Sequence, residues 1–143
     1  MIHVGDRSTL SYVVPEQRTV PHLFPESVEF EVMPKVLATG YLVGLLEWAC
    51  MQHLTEAGHL EDQQISVGTH VNVSHTAATV PGQLVTVEVT CTKVEGRLVE
   101  WDVVARDERD LISQGTHQRA VLDPARFAAG VCRKAEELGL AWG

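Results

Sequence analysis

The amino-acid sequence predicts an α+β domain in which an antiparallel sheet wraps around one long helix. A long apolar segment with helical spacing comes first, and four segments with alternating apolar and polar residues follow it. A helix that is apolar on nearly every side needs other elements to cover it, and the alternating segments supply a sheet for that purpose. The length of 143 residues, with 45% hydrophobic and 21% charged residues, predicts a single globular domain spanning 1–143.

The N-terminal part of the chain predicts one strand followed by an irregular segment. Residues 8–14 (STLSYVV) have the composition of a strand. Pro21, Pro25 and Pro34 then interrupt any regular element over residues 15–34. A segment of this length without regular structure often acts as a lid or a binding loop.

The apolar helix is predicted to begin with Thr39 as its N-cap and to stop at Gly58. Between residues 41 and 51 it carries one charged side chain, Glu47. An ionised carboxylate is costly to bury without a partner, and buried unpaired carboxylates tend to have a raised pKa and to cluster at functional sites. Gly40 and Gly44 lie on the Glu47 side, where they allow close approach by a backbone or a ligand. The alternative is an amphipathic helix with one polar edge.

After Gly58 the hydrophobic period changes to two, which predicts antiparallel strands over residues 65–75, 85–91, 98–107 and 111–121, arranged as a meander. A second helix follows, with Asp123 as its cap and Pro124 in its first position. Its predicted inner face consists of Phe127, Val131, Ala135 and Leu138. This order of elements is the pattern of a hotdog fold, whose domains pair into dimers.

Thr39 and Gly40 open the central helix, where backbone N–H groups favour negative charge such as an oxyanion. A plain capping role is the alternative for Thr39. Glu47 lies eight residues further on, which is about 12 Å along a helix axis. The two side chains cannot meet within one helix, so joint action on one bond requires Thr39 from one subunit and Glu47 from its partner. We therefore expect a homodimer with its active site at the subunit interface.

His75 follows Val71 and Val73 on one strand face, which directs it toward the helix. A histidine in this position is more often structural than catalytic, but the small residues after it leave room for a ligand. His70 is an odd number of residues away and is expected on the opposite face, so a two-histidine metal site is not expected. Arg119 lies in the last strand and is either an edge charge or a ligand for an anionic or polar group.

Composition argues against several classes of protein. The formal net charge of −8 disfavours nucleic acid and anionic membranes as partners. Three cysteines without a CxxC pair suit a reducing compartment, and the N-terminal residues carry no signal pattern, so we expect a cytoplasmic protein. The sequence has no serine-hydrolase elbow and no phosphate-binding glycine loop. No metal or cofactor is expected.

Five segments of the chain resemble the fluoroacetyl-CoA thioesterase family of hotdog proteins. They are TVPHLFPES (19–27), ATGYLVGLLEWAC (38–50), VGTHVNVSHTAATVPG (67–82), VEGRLVEWDV (94–103) and GTHQRAV (115–121). The resemblance implies hydrolysis of a short acyl-CoA thioester. It implies a catalytic constellation of Thr39, Glu47 and His75, with Glu47 as nucleophile or base, Thr39 positioning it or the thioester, and His75 handling the proton of the leaving thiolate.

The resemblance also implies the residues that contact the acyl group. Gly68 and Arg119 match positions that line the family's acyl pocket. Fluoroacetyl-specific members close this pocket with two phenylalanines, of which Phe30 matches the first and Met33 replaces the second. Because methionine is flexible and fills pockets loosely, we expect selectivity for a broader or different short acyl-CoA.

Two other functions fit the same fold. One is a hotdog protein that binds an acyl-CoA without turnover, and the other is a hydratase or dehydratase acting on an acyl thioester. A protein that only binds has no reason to keep a costly carboxylate in an apolar helix, which favours the thioesterase.

Overall fold

The computed structural model describes residues 1–143 and contains one five-stranded antiparallel sheet and a long central helix. The strands are β1 (Arg7–Val13), β2 (Ile65–Val73), β3 (Leu84–Glu95), β4 (Leu98–Arg106) and β5 (Leu111–Leu122). The helices are α1 (Val28–Glu31), α2 (Thr39–Glu56) and α3 (Pro124–Glu137). The predicted α+β class is confirmed, and most predicted strand boundaries agree with the structure to within a few residues.

Helix α2 packs against one face of the sheet and forms the core with it. Its buried side chains are Leu42, Leu45, Leu46, Ala49, Cys50, His53 and Leu54. They pack with fully buried valines of β3 and β4 and with Trp101, and each large apolar side chain contributes about 1.5–3 kcal/mol through burial. The outer face of α2 is open, since Trp48 is 49% and Met51 43% exposed. The expectation of a helix covered on all sides is therefore wrong for this face.

The order of strands in the sheet is β1-β3-β4-β5-β2. Only β3, β4 and β5 form a meander; β2 pairs with β5 instead of the strand that follows it, and β1 pairs with β3. The predicted four-strand meander is wrong because the chain crosses the sheet after β2 instead of turning back beside it. On this crossing the Thr79 carbonyl accepts a hydrogen bond from Leu37 N–H at 2.8 Å. As a result, β2 is an edge strand with one side unpaired.

The segment between β1 and α2 is more ordered than its prolines predict. It contains two short 3₁₀ turns, Glu16–Arg18 and Val20–His22, followed by α1. Ser27 caps α1 by accepting a hydrogen bond from Phe30 N–H. Leu23 lies directly over the start of α2, where a Cβ at Gly40 would come within 3.1 Å of a Leu23 methyl carbon. The segment therefore covers the first turn of the central helix, as a lid would.

Helix α3 begins as predicted, with Asp123 accepting a hydrogen bond from Ala125 N–H and Pro124 in the first turn. No residue of α3 is buried, however, and Phe127 is 44% exposed. The predicted inner face of this helix is wrong for the single chain, because α3 leaves the end of β5 without folding back onto the core. No helix of the protein has the length and apolar character needed to cross a bilayer.

Candidate active site

The N-terminus of α2 has no side-chain cap, and Thr39 and Gly40 stay exposed although Leu23 packs against one side of the first turn. Ala38, not Thr39, is the N-cap residue, and it has no side chain that can cap. The prediction that Thr39 caps the helix is therefore wrong; Thr39 is the first helical residue and its side chain turns elsewhere. The backbone N–H groups of Thr39, Gly40 and Tyr41 have no hydrogen-bond partner in the chain. Such groups form a ready site for an anion or an oxyanion.

His75 lies beside this helix end, two residues beyond the last residue of β2. Its Nδ1 is 2.8 Å from the Thr39 hydroxyl oxygen, which confirms that the histidine points toward the helix. Its Nε2 is buried and has no hydrogen-bond partner. Burial lowers the pKa of His75 because it penalises the charged imidazolium. A neutral imidazole with one unpaired nitrogen beside exposed helix N–H groups can exchange a proton with a ligand that reaches this nitrogen.

Glu47 is paired, contrary to the expectation of an isolated buried carboxylate. Its Oε2 accepts a hydrogen bond from Arg119 Nη1 at 2.9 Å. The Arg119 side chain is 4% exposed and that of Glu47 is 39% exposed. The carboxylate thus has one oxygen fixed by a buried guanidinium and retains access to the surface. This pairing could not be predicted from a local sequence pattern, because 72 positions separate the two residues.

Arg119 is fixed on three sides by its own set of partners. Its Nε donates to the Ser66 hydroxyl at 2.8 Å, and its Nη2 donates to the Ser66 carbonyl at 3.0 Å. Its Nη1 contacts both Glu47 and His117 Nε2, the latter at 3.1 Å. Four of the five guanidinium N–H groups are therefore occupied. Arg119 acts mainly as the support of Glu47, and at most one N–H is left for a ligand.

Gly68 completes the surroundings of Glu47. It is the Cα partner of Arg119 across the β2–β5 ladder. A Cβ at Gly68 would lie 2.8 Å from Glu47 Oε2 and 3.4 Å from Arg119 Nη1. The glycine is therefore required for the carboxylate to lie against the strand. A register shift follows at once, between Gly68 and His70, and such bulges often re-aim side chains next to active sites.

A cleft of about 390 Å³ opens in front of Glu47. Its lining residues are Val43, Glu47, Gly68, Thr69, His70, Val71 and His117. The cleft runs along β2, the edge strand with an unpaired side. Thr39 and His75 do not line it. One chain therefore contains two separate groups of polar residues, one at the helix N-terminus and one at mid-helix.

The two candidate gate residues lie in and just after α1. Phe30 packs against Phe24 with ring centroids 5.5 Å apart, and Met33 is exposed. Both belong to the segment that covers the start of α2. Nothing in the single chain brings them against Glu47.

Comparison with known proteins agrees with this architecture. The model of the fluoroacetyl-CoA-specific thioesterase family matches residues 16–125. The chain belongs to this family. It is 49% identical over 133 residues to the fluoroacetyl-CoA thioesterase of Streptantibioticus cattleyicolor, covering 93% of this chain and 94% of that protein.

Solved structures give the same result. A variant of the fluoroacetyl-CoA thioesterase in complex with fluoroacetate superposes with a TM-score of 0.89 at 48% identity, covering 93% of this chain and 98% of the other. A thioesterase superfamily member from Thermus thermophilus has a TM-score of 0.85 at 29% identity, with 97% of both chains covered. The predicted hotdog fold and the family resemblance are thereby confirmed.

Two residues of the Glu47 group were not singled out from the sequence, His117 and Ser66. His117 is two positions from Arg119, so the strand period already placed both side chains on the same face. Ser66 gave no such indication, because its contact with Arg119 depends on the register between β2 and β5, which no local pattern encodes.

Proposed function

We propose that the protein hydrolyses a short-chain acyl-CoA thioester to the free acid and CoA, using Glu47, Thr39 and His75. The observation that carries the proposal is the state of Glu47, a carboxylate fixed by Arg119 at 2.9 Å yet open to a cleft. Membership of the thioesterase family supports the reaction class. A thioester hydrolase also needs an oxyanion site and a proton donor, and the end of α2 with His75 has the properties of both.

Glu47 can act by either of two routes, and the atoms and charges of the reaction balance in both. As a general base it takes a proton from water, whose oxygen attacks the thioester carbon; the resulting oxyanion then collapses and expels the CoA thiolate. As a nucleophile it attacks the carbon itself, expels the thiolate and leaves an acyl anhydride that water hydrolyses. In both routes the free N–H groups at the start of α2 stabilise the oxyanion, and His75 passes the proton that water releases on to the departing thiolate, so the imidazole is neutral again at the end of the cycle.

We propose further that the working site is shared by two subunits of a homodimer. Thr39 and Glu47 are about 12 Å apart along one helix, at about 1.5 Å per residue, and the Glu47 cleft opens along the unpaired edge of β2. Pairing of two such edges would cover the exposed strand. It would also deliver Thr39 and His75 of one chain toward Glu47 of the other.

The acyl group is proposed to be short but not restricted to fluoroacetyl. Phe30 and Met33 lie in the segment over the helix start, and the flexible, exposed Met33 side chain closes a pocket less rigidly than an aromatic ring. We place the enzyme in the cytoplasm, where its three free cysteines stay reduced.

The direct test is release of free thiol from a panel of short acyl-CoAs, including acetyl- and fluoroacetyl-CoA, by the wild type and by Glu47→Gln. The amide keeps the shape of the side chain but is neither a base nor a good nucleophile. We expect thiol release by the wild type and its collapse in the variant with binding retained. Binding of acyl-CoA without release by either protein would identify a binding protein instead, and a changed acyl chain on an intact thioester would identify a hydratase.

A further inference from the structure

His117 lies between the backbone of β2 and the guanidinium of Arg119. Its Nδ1 is 2.8 Å from the carbonyl oxygen of His70, and its Nε2 is 3.1 Å from Arg119 Nη1. The residue is 2% exposed. It is thus buried, and although its ring borders the Glu47 cleft, both ring nitrogens are used within the protein.

These two contacts define the protonation state of the ring. A carbonyl oxygen can only accept, so Nδ1 must carry the hydrogen that it donates to His70. A guanidinium can only donate, so Nε2 must be the unprotonated nitrogen that accepts from Arg119. Only the neutral imidazole protonated at Nδ1 satisfies both neighbours; the imidazolium and the other neutral form would each place a donor against a donor.

The surroundings of His117 favour the neutral ring. Trp101 stacks on it with centroids 6.4 Å apart and an angle of 21° between the rings. The titratable and charged groups that face it are Arg119 on its own strand, Glu47 on α2 and His70 on β2. Burial lowers the pKa of His117, and the charge of Arg119 acts in the same direction, whereas the His70 carbonyl and Glu47 oppose them.

We propose that His117 is a positioning residue for Glu47. The unprotonated Nε2 fixes one N–H of Arg119 Nη1, which leaves the other directed at Glu47 Oε2. Ser66 fixes the opposite end of the guanidinium, so the acceptor on His117 sets the rotation of the group that holds the carboxylate. This inference rests on the proposed role of Glu47 in hydrolysis.

Two substitutions test the two hydrogen bonds of His117 one at a time, because each keeps either the Nδ1 donor or the Nε2 acceptor. In His117→Asn the side-chain amide reaches the His70 carbonyl but not Arg119. In His117→Gln the longer side chain places an oxygen acceptor near the position of Nε2. We expect His117→Asn to lower kcat by about tenfold to a hundredfold, with little change in KM, because the attacking group is misplaced while the substrate still binds. His117→Gln should recover most of this loss.

The difference in turnover between His117→Asn and His117→Gln decides the proposal. A merely structural role predicts that both variants lose thermal stability and activity together. Equal turnover in the two variants, whether normal or reduced, would therefore overturn the assignment. Glu47→Gln serves as the reference: if that variant turns over normally, the proposed function itself fails. If it is inactive while His117→Asn is fully active, only the positioning role fails.

A second measurement on the wild type does not depend on how the variants fold. Nitrogen-15 NMR of histidine-labelled protein distinguishes the two neutral forms and the charged form of an imidazole. We expect the ring of His117 to be protonated at Nδ1, unprotonated at Nε2 and neutral at pH 6.5, the ordinary pKa of histidine. A ring protonated at Nε2, or a charged ring at that pH, would contradict the proposal.

Discussion

The substitution Gly68→Ala tests whether Glu47 must lie against β2. The added methyl carbon would stand 2.8 Å from Glu47 Oε2, whereas Cβ atoms essentially never approach another heavy atom within 3.0 Å. The carboxylate must therefore withdraw by several tenths of an ångström. Its partner Arg119 is fixed by Ser66 and His117 and cannot follow, so the 2.9 Å ion pair has to lengthen.

We expect this shift to lower thiol release by about tenfold to a hundredfold, since small misplacements of a reacting group have effects of that size. Stability should fall by only about 1–2 kcal/mol, because the clash involves the end of a partly exposed side chain. Gly130→Ala in α3 is the matched control, since a Cβ there meets nothing within 4 Å. Normal turnover by Gly68→Ala, with its unfolding temperature unchanged, would refute the role given to this glycine.

Two further predictions concern titration and thiol chemistry. Burial lowers the pKa of four histidines: His53, His59, His75 and His117. As the pH falls below 6.5, the ordinary pKa of histidine, the unfolded chain therefore binds more protons than the folded one, and the free energy of unfolding should decrease. Urea denaturation at about pH 7.5 and about pH 5.5 measures this decrease. An unchanged urea midpoint between the two pH values would contradict the prediction. Burial raises the pKa of the Cys50 and Cys91 thiols, so a thiol reagent should modify Cys132 first and leave turnover intact. Equally rapid reaction of all three would be the contrary result.

The elements of the fold were predictable because each follows from a local pattern. The change of hydrophobic period after Gly58 and the cap at Asp123 both lie where the sequence predicts them. The position of β2 was not predictable in this way. Its pairing with β5 depends on where the chain crosses the sheet, which is a property of the whole domain.

The sequence located candidate site residues but not the contacts between them. A lone charge in an apolar helix identified Glu47, and the strand period directed His75 at the helix start. The partner of Glu47 was hidden because contact with Arg119 requires the β2–β5 register and a glycine at position 68. The cap at Thr39 was mispredicted because residue type alone cannot tell a capping threonine from one whose hydroxyl contacts a histidine 36 positions away.

The most direct test of the shared site is a dimer assembled from two different inactive chains. Thr39→Ala and Glu47→Gln chains carrying different affinity tags are co-expressed, and the mixed dimer is isolated. If each site takes Thr39 from one chain and Glu47 from the other, one of its two sites is intact, and thiol release should reach about half of the wild-type rate. A dimer of the wild type with a chain carrying both substitutions should be inactive. The reverse pattern, an inactive mixed dimer and a half-active control, would place the whole site within one chain and contradict the account.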